Sequence, residues 1–350
     1  MRVNVTDLQV GDKLTSHVFN QYGLHVLSSD SVLSANDIAM LFRHGIEYVD
    51  IAIRVVDVKA KIAQFQKESQ LREKMQPMLD QAVEGLKRLF EQAGAAGTFD
   101  PQLVDNAYQP LAEQIQKETD VVSLLLALEV TDDYTYQHSV QVGMISYFIA
   151  KWMGKSEAEA QKIGKAGFLH DIGKTKIPHE ILYKKDKLTT AEFNEIKKHT
   201  TYGHDIIVES LEDASMALVA LQHHERMNGR GYPNGDSDSQ IHPYAKIVSV
   251  AEVYCTMISS TVYQAKRNML AVLQELHNLS FTELDPQITH TFIQNMIPNF
   301  IGKKITLDNG QVGTIVMTNA NDFFRPLIQI DNTFIDLSKE KQYAVKDIQM

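Results

Sequence analysis

Apolar and polar positions alternate at two different periods along this chain, and the period changes at identifiable places. In residues 1–53 the runs "LTSHVFN", "LHVL" and "EYVDI" have the short period of strands and are separated by Gly and Asp turns. Within them "SANDIAMLFRHG" has helical spacing, with Ser34 placed to cap a helix and Gly45 placed to end it. This segment predicts a small α+β domain with a regulatory or interaction role. From 54 to 93 the charged run "VVDVKAKIAQFQKESQLREKMQPMLDQAVEGLKRLF" is periodic at helical spacing, and Pro77 predicts a break in it. The following "EQAGAAGTFD" is the expected linker, so 54–118 is assigned as a helical connector.

From about 101 to 298 nearly every segment is helical in period and none reads as a strand. Thr189 and Glu192 in "LTTAEFNEIKKHTTYGHDII" have capping-box spacing, which predicts a helix that carries His199 about three turns in. After 298 the runs "KKITLDNGQVGTIVMT" and "PLIQIDNTFIDLS" return to the strand period, with a hairpin turn signalled at Asn309 and Gly310. The expected fold is mainly α: an all-α domain at 119–298, flanked by the α+β domain and by a small β module at 299–350.

Composition narrows the function classes. The 350 residues are 44% hydrophobic, enough for more than one core. A formal net charge of −10 disfavours a nucleic acid polymer or an anionic membrane as partner, so any phosphate ligand needs local positive charge. The single cysteine, Cys255, allows no internal disulfide and suits a reducing compartment. No apolar signal segment opens the chain, and "VVSLLLAL" at 121–128 is far short of the roughly 20 residues of a membrane span. A cytoplasmic protein without membrane insertion is expected.

The chemistry concentrates in histidines that fall on apolar-patterned segments. His170 and Asp171 close a helix in "FLHDIGKTKIP". His138 stands in "YTYQHSVQVG", His199 in "KKHTTYG", and His223 with His224 in "LQHHERMNGRGYP". A buried His-Asp pair is costly unless both groups are satisfied, which a divalent cation does; a core histidine bonded to its neighbour fits the pair alone equally well. Taken together, imidazoles and carboxylates suit Fe, Mn, Ni or Zn better than Mg or Ca. A carboxylate can bridge two such ions, and paired ions favour phosphoester hydrolysis. Lys174 and Arg230 could supply charge to a phosphate.

The run "HDIGKTKIPHEILYKKDKLTTAEFNEIKKHTTYGHDII" followed by "HHERMNGRGYPNG" resembles the HD-GYP subgroup of the HD-domain metal-dependent phosphohydrolases, over roughly residues 119–280. The resemblance implies hydrolysis of a cyclic dinucleotide, cyclic di-GMP or a cyclic GMP-AMP, to a linear dinucleotide by a metal-bound hydroxide. It implies that His138, His170 and Asp171 hold one metal and that Asp171 bridges to a second held by His199, His223 and His224. Fe or Mn is the first expectation, with Ni or Zn also compatible. Lys174 matches a lysine that contacts substrate phosphate, and Gly231, Tyr232 and Pro233 form the GYP triplet of a loop that shapes the substrate pocket. A homodimer or a signalling-protein partner stays open.

Departures from the family pattern set the alternatives. The last family ligand is an aspartate in a run like A-D-V-Y-D-A, whereas "AEVYCTM" puts Glu252 there and Cys255 at the later aspartate. "STVYQAK" keeps Tyr263 but has Thr261 and Gln264 where arginines are usual. Tyr134 stands where some members carry a glutamate for a third metal, so a binuclear site is expected. Cys255 is expected as an apolar filler rather than a thiolate ligand. His179, His204 and His242 are expected at the surface or behind the ligands, Trp152 in the core, and "KKHTT" as a solvated charge patch. The alternative function is a catalytically attenuated module that binds a cyclic dinucleotide or a partner. A mononucleotide phosphohydrolase is a third reading, against which the GYP loop argues.

Overall fold

The computed structural model describes residues 2–5, 8, 10–52, 55–117, 134–259, 269–319, 322–330 and 333–349. The run at 121–128 and positions Thr261, Tyr263 and Gln264 lie outside these residues, and of Tyr134 only the backbone is described. The chain divides into two compact units, Met1–Gln70 with Gly302–Asn319 and Arg325–Met350, and Leu71–Ile301 with Ala320–Phe324. Among the described residues no helix is long and apolar enough to cross a membrane.

In the first unit, β1 (Arg2–Asn4) pairs antiparallel with β4 (Tyr48–Asp50), and β2 (Val18–Phe19) pairs with β3 (His25–Leu27). Helix α1 (Ala35–Arg43) starts as its sequence predicts: the Ser34 hydroxyl accepts from the Asp37 N–H, and the Asp37 carboxylate accepts from the Ser34 N–H. Leu14, Leu33, Leu41 and Ile51 are fully buried or nearly so in its core. The same unit contains an antiparallel sheet of β5 (Lys304–Leu307), β6 (Val312–Met317), β7 (Leu327–Ile330), β8 (Thr333–Asp336) and β9 (Val345–Gln349), in the order β8-β7-β6-β5-β9. The β5–β6 turn is the expected one, with the Gln311 N–H donating to the Asn309 side chain and Gly310 at φ +85°.

In the second unit every described element is helical. Helix α2 (Val55–Ala96) continues through Pro77, contrary to the expected break. Met75, Leu79, Ala82, Leu86, Leu89 and Ala93 form a buried stripe at three- and four-residue spacing on both sides of the proline, and this packing outweighs one lost hydrogen bond. The expected linker shrinks correspondingly: the helix stops at Gly97, φ +79°, and Asp100 already caps α3 (Pro101–Ile115).

Helices α4 (Tyr134–Trp152) and α5 (Glu157–Leu169) pack closely, because a Cβ on Gly143 would collide with the Gly164 carbonyl of the facing helix, and one on Gly164 would strike the Tyr108 hydroxyl of α3. After α5 come the 3-10 turn Ile172–Lys176, α6 (His179–Leu182), α7 (Thr190–Lys197), α8 (His199–Leu211), α9 (Ala214–Gln222), α10 (Pro243–Ser259), α11 (Met269–Leu279) and α12 (Pro286–Met296). The capping box of Thr189 and Glu192 is formed at the head of α7. The single helix expected to carry His199 is instead two, abutting at Lys198. The His199 ring bonds the Ile196 carbonyl at 2.7 Å and the Thr200 hydroxyl bonds the Lys197 carbonyl at 2.9 Å. Side chains thus take acceptors that a continuous helix would use. Trp152 is half-buried rather than a core residue, with its ring centroid 5.8 Å from Phe148.

Candidate metal centre

Five helices deliver the expected ligands to one buried place. His138 comes from the first turns of α4, His170 caps the end of α5, His199 opens α8, His223 caps α9 with His224 after it, and Glu252 lies on α10. Asp171 precedes the 3-10 turn. That turn lies against the head of α8 because Gly173 has no Cβ, which would otherwise strike the His199 carbonyl and Gly203 backbone. Asp171 thereby reaches His199.

The donor atoms form three overlapping groups whose members lie within 4.8 Å of one another: His138, His170 and Glu252; His199, His223 and His224; and His170, Asp171 and His223. Glu252 Oε2 is 2.6 Å from His138 Nε2 and 3.4 Å from His170 Nε2. Asp171 faces both ways. Its Oδ2 is 3.2 Å from His170 Nε2, and its Oδ1 is 3.4 Å from His199 Nε2 and 4.0 Å from His223 Nε2.

Backbone carbonyls orient three of the rings. Nδ1–H of His170 donates to Gly167 at 2.7 Å, that of His199 to Ile196 at 2.7 Å, and that of His223 to Ala220 at 2.9 Å. Each Nε2 is then turned toward the shared space, the arrangement in which a neighbouring acceptor fixes a ligand imidazole. Burial, reinforced by the adjacent imidazoles, holds His223 and His224 well below the usual histidine range, so both are neutral. Burial likewise lowers His199.

His199 Nε2 and His223 Nε2 sit 3.3 Å apart. With both Nδ1 atoms protonated and both rings neutral, two lone pairs face each other beside a carboxylate oxygen. Asp171 Oδ1 and His170 Nε2 are buried and have no well-aligned hydrogen-bond partner among the described residues. A divalent cation resolves both features, so the donor set fits a metal.

Charge balance around the first group points the same way. Burial opposes ionisation of Asp171, but His170, Lys174 and His199 outweigh it and hold the carboxyl well below the usual range. Burial also opposes ionisation of Glu252, and His138 and His170 overcome it. Between these two carboxylates His170 is pushed up to about 10, against the effect of its own burial. The proton on His170 stands in for the positive charge that a bound cation would bring.

The substrate-side residues are less uniformly placed. Lys174 Nζ pairs with Asp171 Oδ2 at 2.6 Å while its stem stays partly exposed. Tyr232 stacks on His224, centroids 4.6 Å apart at 27°. Gly231 passes so close to the end of α9 that an added Cβ would collide with the His224 carbonyl and the Glu225 backbone. Gly231→Ala is therefore expected to destabilise the protein by about 1–3 kcal/mol, the cost of overpacking, which thermal unfolding would register. An unchanged melting temperature would contradict this close approach. Arg230 and Pro233 are exposed, and the Arg230 backbone N–H donates to the Asn228 side chain at 3.0 Å.

Two contributors escape sequence reasoning. Glu225 is 2% exposed, and its Oε1 accepts from the N–H groups of Asn234 and Gly235 at 2.7 and 3.1 Å, which ties down the loop after the triplet. Lys197, expected as part of a solvated patch, lies 5.3 Å from the Tyr232 ring centroid and 4.8 Å from that of Phe193. Lys198 does behave as a surface residue, paired with Glu195 at 2.5 Å. Cys255 is buried, outside every candidate ligand group, with a thiol pushed up first by its burial. His179 is exposed and His204 pairs with Asp205 at 2.9 Å, both away from those groups.

Comparison with known proteins accords with this geometry. The HD domain family matches residues 121–288. A cyclic di-GMP phosphodiesterase of Pseudomonas aeruginosa is 26% identical over 243 residues, 69% of this chain and 58% of that protein. A 3'3'-cGAMP-specific phosphodiesterase of Vibrio cholerae is 28% identical over 191 residues, 53% of this chain and 44% of that protein. The chain thus spans about half the length of these relatives. A solved HDG"Y"P protein from Bdellovibrio bacteriovorus superimposes with a TM-score of 0.52 at 16% identity, covering 83% of this chain and 97% of its own, a likeness of fold. With the His170–Asp171 pair inside the matched segment and the Gly231–Tyr232–Pro233 loop behind its paired histidines, residues 121–288 match the HD domain family, and the chain is similar in fold to an HDG"Y"P protein.

Proposed function

We propose that this chain is a metal-dependent phosphodiesterase that opens a cyclic dinucleotide, cyclic di-GMP or cyclic GMP-AMP, to the linear dinucleotide. Within this reading 119–298 is the catalytic region and 1–53 a regulatory or interaction domain. The observation that carries it is Asp171, whose two oxygens face separate histidine groups. His138, His170 and Glu252 would hold one divalent ion, His199, His223 and His224 a second, with Asp171 between them. Iron or manganese suits this mixed imidazole and carboxylate set. When bound, such ions supply Lewis acidity and activated water for attack on phosphorus.

The chain's own groups supply recognition. Lys174 is close enough to Asp171 to present its ammonium to a phosphate oxygen on the metal side. The Gly231–Pro233 loop, held by Glu225, sets the Tyr232 ring over His224 and covers that side of the site. Lys197, held over Tyr232, brings positive charge to the same loop and offsets the arginines that "STVYQAK" lacks. The reach of Glu252 to His138 supports turnover over an attenuated binding module.

Lys174→Ala is expected to keep the metal content and lower kcat/KM by about 10–100-fold, the loss of one charge-assisted contact. Steady-state kinetics with elemental analysis checks this, and unchanged kcat/KM would remove Lys174 from the mechanism. The function itself is tested by incubating protein reconstituted with Mn²⁺ or Fe²⁺, under reducing conditions, with cyclic di-GMP and with cyclic GMP-AMP, and resolving the products chromatographically. A linear dinucleotide supports the assignment; substrate recovered intact in both cases refutes it.

A further inference from the structure

A pocket of about 260 Å³ adjoins the metal centre, and Lys174 belongs to both. Phe90 and Glu91 of α2, Tyr136 of α4, and Leu182 and Tyr183 from α6 and its end line it. Tyr136 is two residues before His138 on the same helix. Its ring meets Phe90 edge-on, centroids 5.2 Å apart, and Tyr183 packs on His179 at 4.5 Å.

The volume is below the roughly 300–1,000 Å³ of sites that enclose a drug-sized ligand, so it suits one ring system rather than a whole dinucleotide. The aromatic side chains of its lining favour a flat π system, which every nucleobase provides. Lys174 at the shared wall suits the phosphate one ribose away from such a base. The carboxylate of Glu91 accepts hydrogen bonds and donates none. Guanine presents two adjacent donors, N1–H and the N2 amino group, on its Watson–Crick edge, which a carboxylate can take together. Adenine presents an acceptor beside its amino group and would set a lone pair against Glu91.

We propose that this pocket seats a guanine base of the cyclic dinucleotide, with Glu91 reading its N1–H and N2 amino edge and Tyr136 and Tyr183 packing against its faces. The assignment rests on the phosphodiesterase reading above and adds to it the base that the site selects. It also gives the connector helix α2 a place in substrate recognition, since Glu91 precedes the segment matched by the HD domain family.

The test is equilibrium binding of hydrolysis-resistant phosphorothioate analogues of cyclic di-GMP and cyclic di-AMP to the full, Mn²⁺-loaded chain. Glu91→Gln and Tyr183→Ala alter side chains that are exposed, Tyr183 by 53%, so folding is not at stake. The wild-type protein is expected to prefer the guanine analogue. Glu91→Gln should weaken that analogue about 10–100-fold with little effect on the adenine one, and Tyr183→Ala should weaken both; metal content should stay constant. Equal wild-type affinity for the two analogues, or variants that bind like wild type, overturns the pocket assignment. If the wild-type protein binds neither analogue and hydrolyses neither parent dinucleotide, the functional reading falls and the pocket with it. If it hydrolyses cyclic di-GMP while the variants bind normally, only the pocket assignment falls.

Discussion

Asp171→Asn is expected to strip metal from both histidine groups and to depress cyclic dinucleotide hydrolysis by at least about three orders of magnitude, or about 4 kcal/mol in the barrier. The size of the effect follows from geometry. One carboxylate faces His170 through Oδ2 and His199 and His223 through Oδ1, so its charge serves both groups. Asparagine keeps the shape but replaces one oxygen by an amide that cannot ligate. In the metal-free protein the same change leaves the His170 and Lys174 cations with less compensation in a buried place, where breaking a pair costs about 3–5 kcal/mol. A lowered melting temperature should therefore accompany the loss of metal. Elemental analysis and kinetics on the same preparation check the prediction. A variant with full metal content would exclude Asp171 as the shared ligand.

Glu252→Asp is expected to have the next largest effect, lowering metal affinity by at least about 10–100-fold and hydrolysis with it. Family resemblance alone would suggest the opposite, because aspartate is the residue usual at this position. In this chain Glu252 Oε2 reaches to 2.6 Å from His138 Nε2 and 3.4 Å from His170 Nε2, while its Oε1 accepts from the Thr256 hydroxyl at 3.0 Å. Removing a methylene draws the carboxylate back by about 1.5 Å, one C–C bond, and gives up that reach. Glu252→Gln keeps the length, removes the charge and should also lose affinity. Metal titrations of the two variants decide the matter. Tighter metal binding and faster turnover in the aspartate variant would mean that Glu252 is an impaired ligand and would promote the attenuated-binder reading.

Much of the fold is legible because local signals and packing agree. Ser34 with Asp37 starts α1, Thr189 with Glu192 starts α7, and Asn309-Gly310 turns β5 into β6. Each is a short-range hydrogen-bond device that residue type and spacing disclose. The expectations that fail depend on distant partners. Pro77 does not break α2, because the buried stripe from Met75 to Ala93 holds the helix on both sides. The division at Lys198 arises from the His199 and Thr200 side chains, and spacing does not show which carbonyls they take.

At the site, the histidines and Asp171 stand out in the sequence because imidazole and carboxylate on apolar-patterned helices need compensation. The structure brings them together from four helices, with Glu252 added from a fifth. Lys197 and Glu225 were not legible in the same way. A lysine beside another lysine reads as surface until the Tyr232 loop is seen beneath it, and Glu225 reads as a helix-end charge until Asn234 and Gly235 are seen donating to it. The signal for Glu225 is weak but physical: a glutamate between paired histidines and a glycine-rich loop has backbone N–H groups within reach.

The central claim, catalysis of phosphodiester cleavage by a two-ion centre built on Asp171, is tested most directly by titrating chelator-stripped protein with Mn²⁺ while following cyclic di-GMP hydrolysis. Activity absent without metal and rising to a plateau at two equivalents per chain is the predicted result. Hydrolysis undiminished in the stripped protein, or no turnover once two ions are bound, would contradict it.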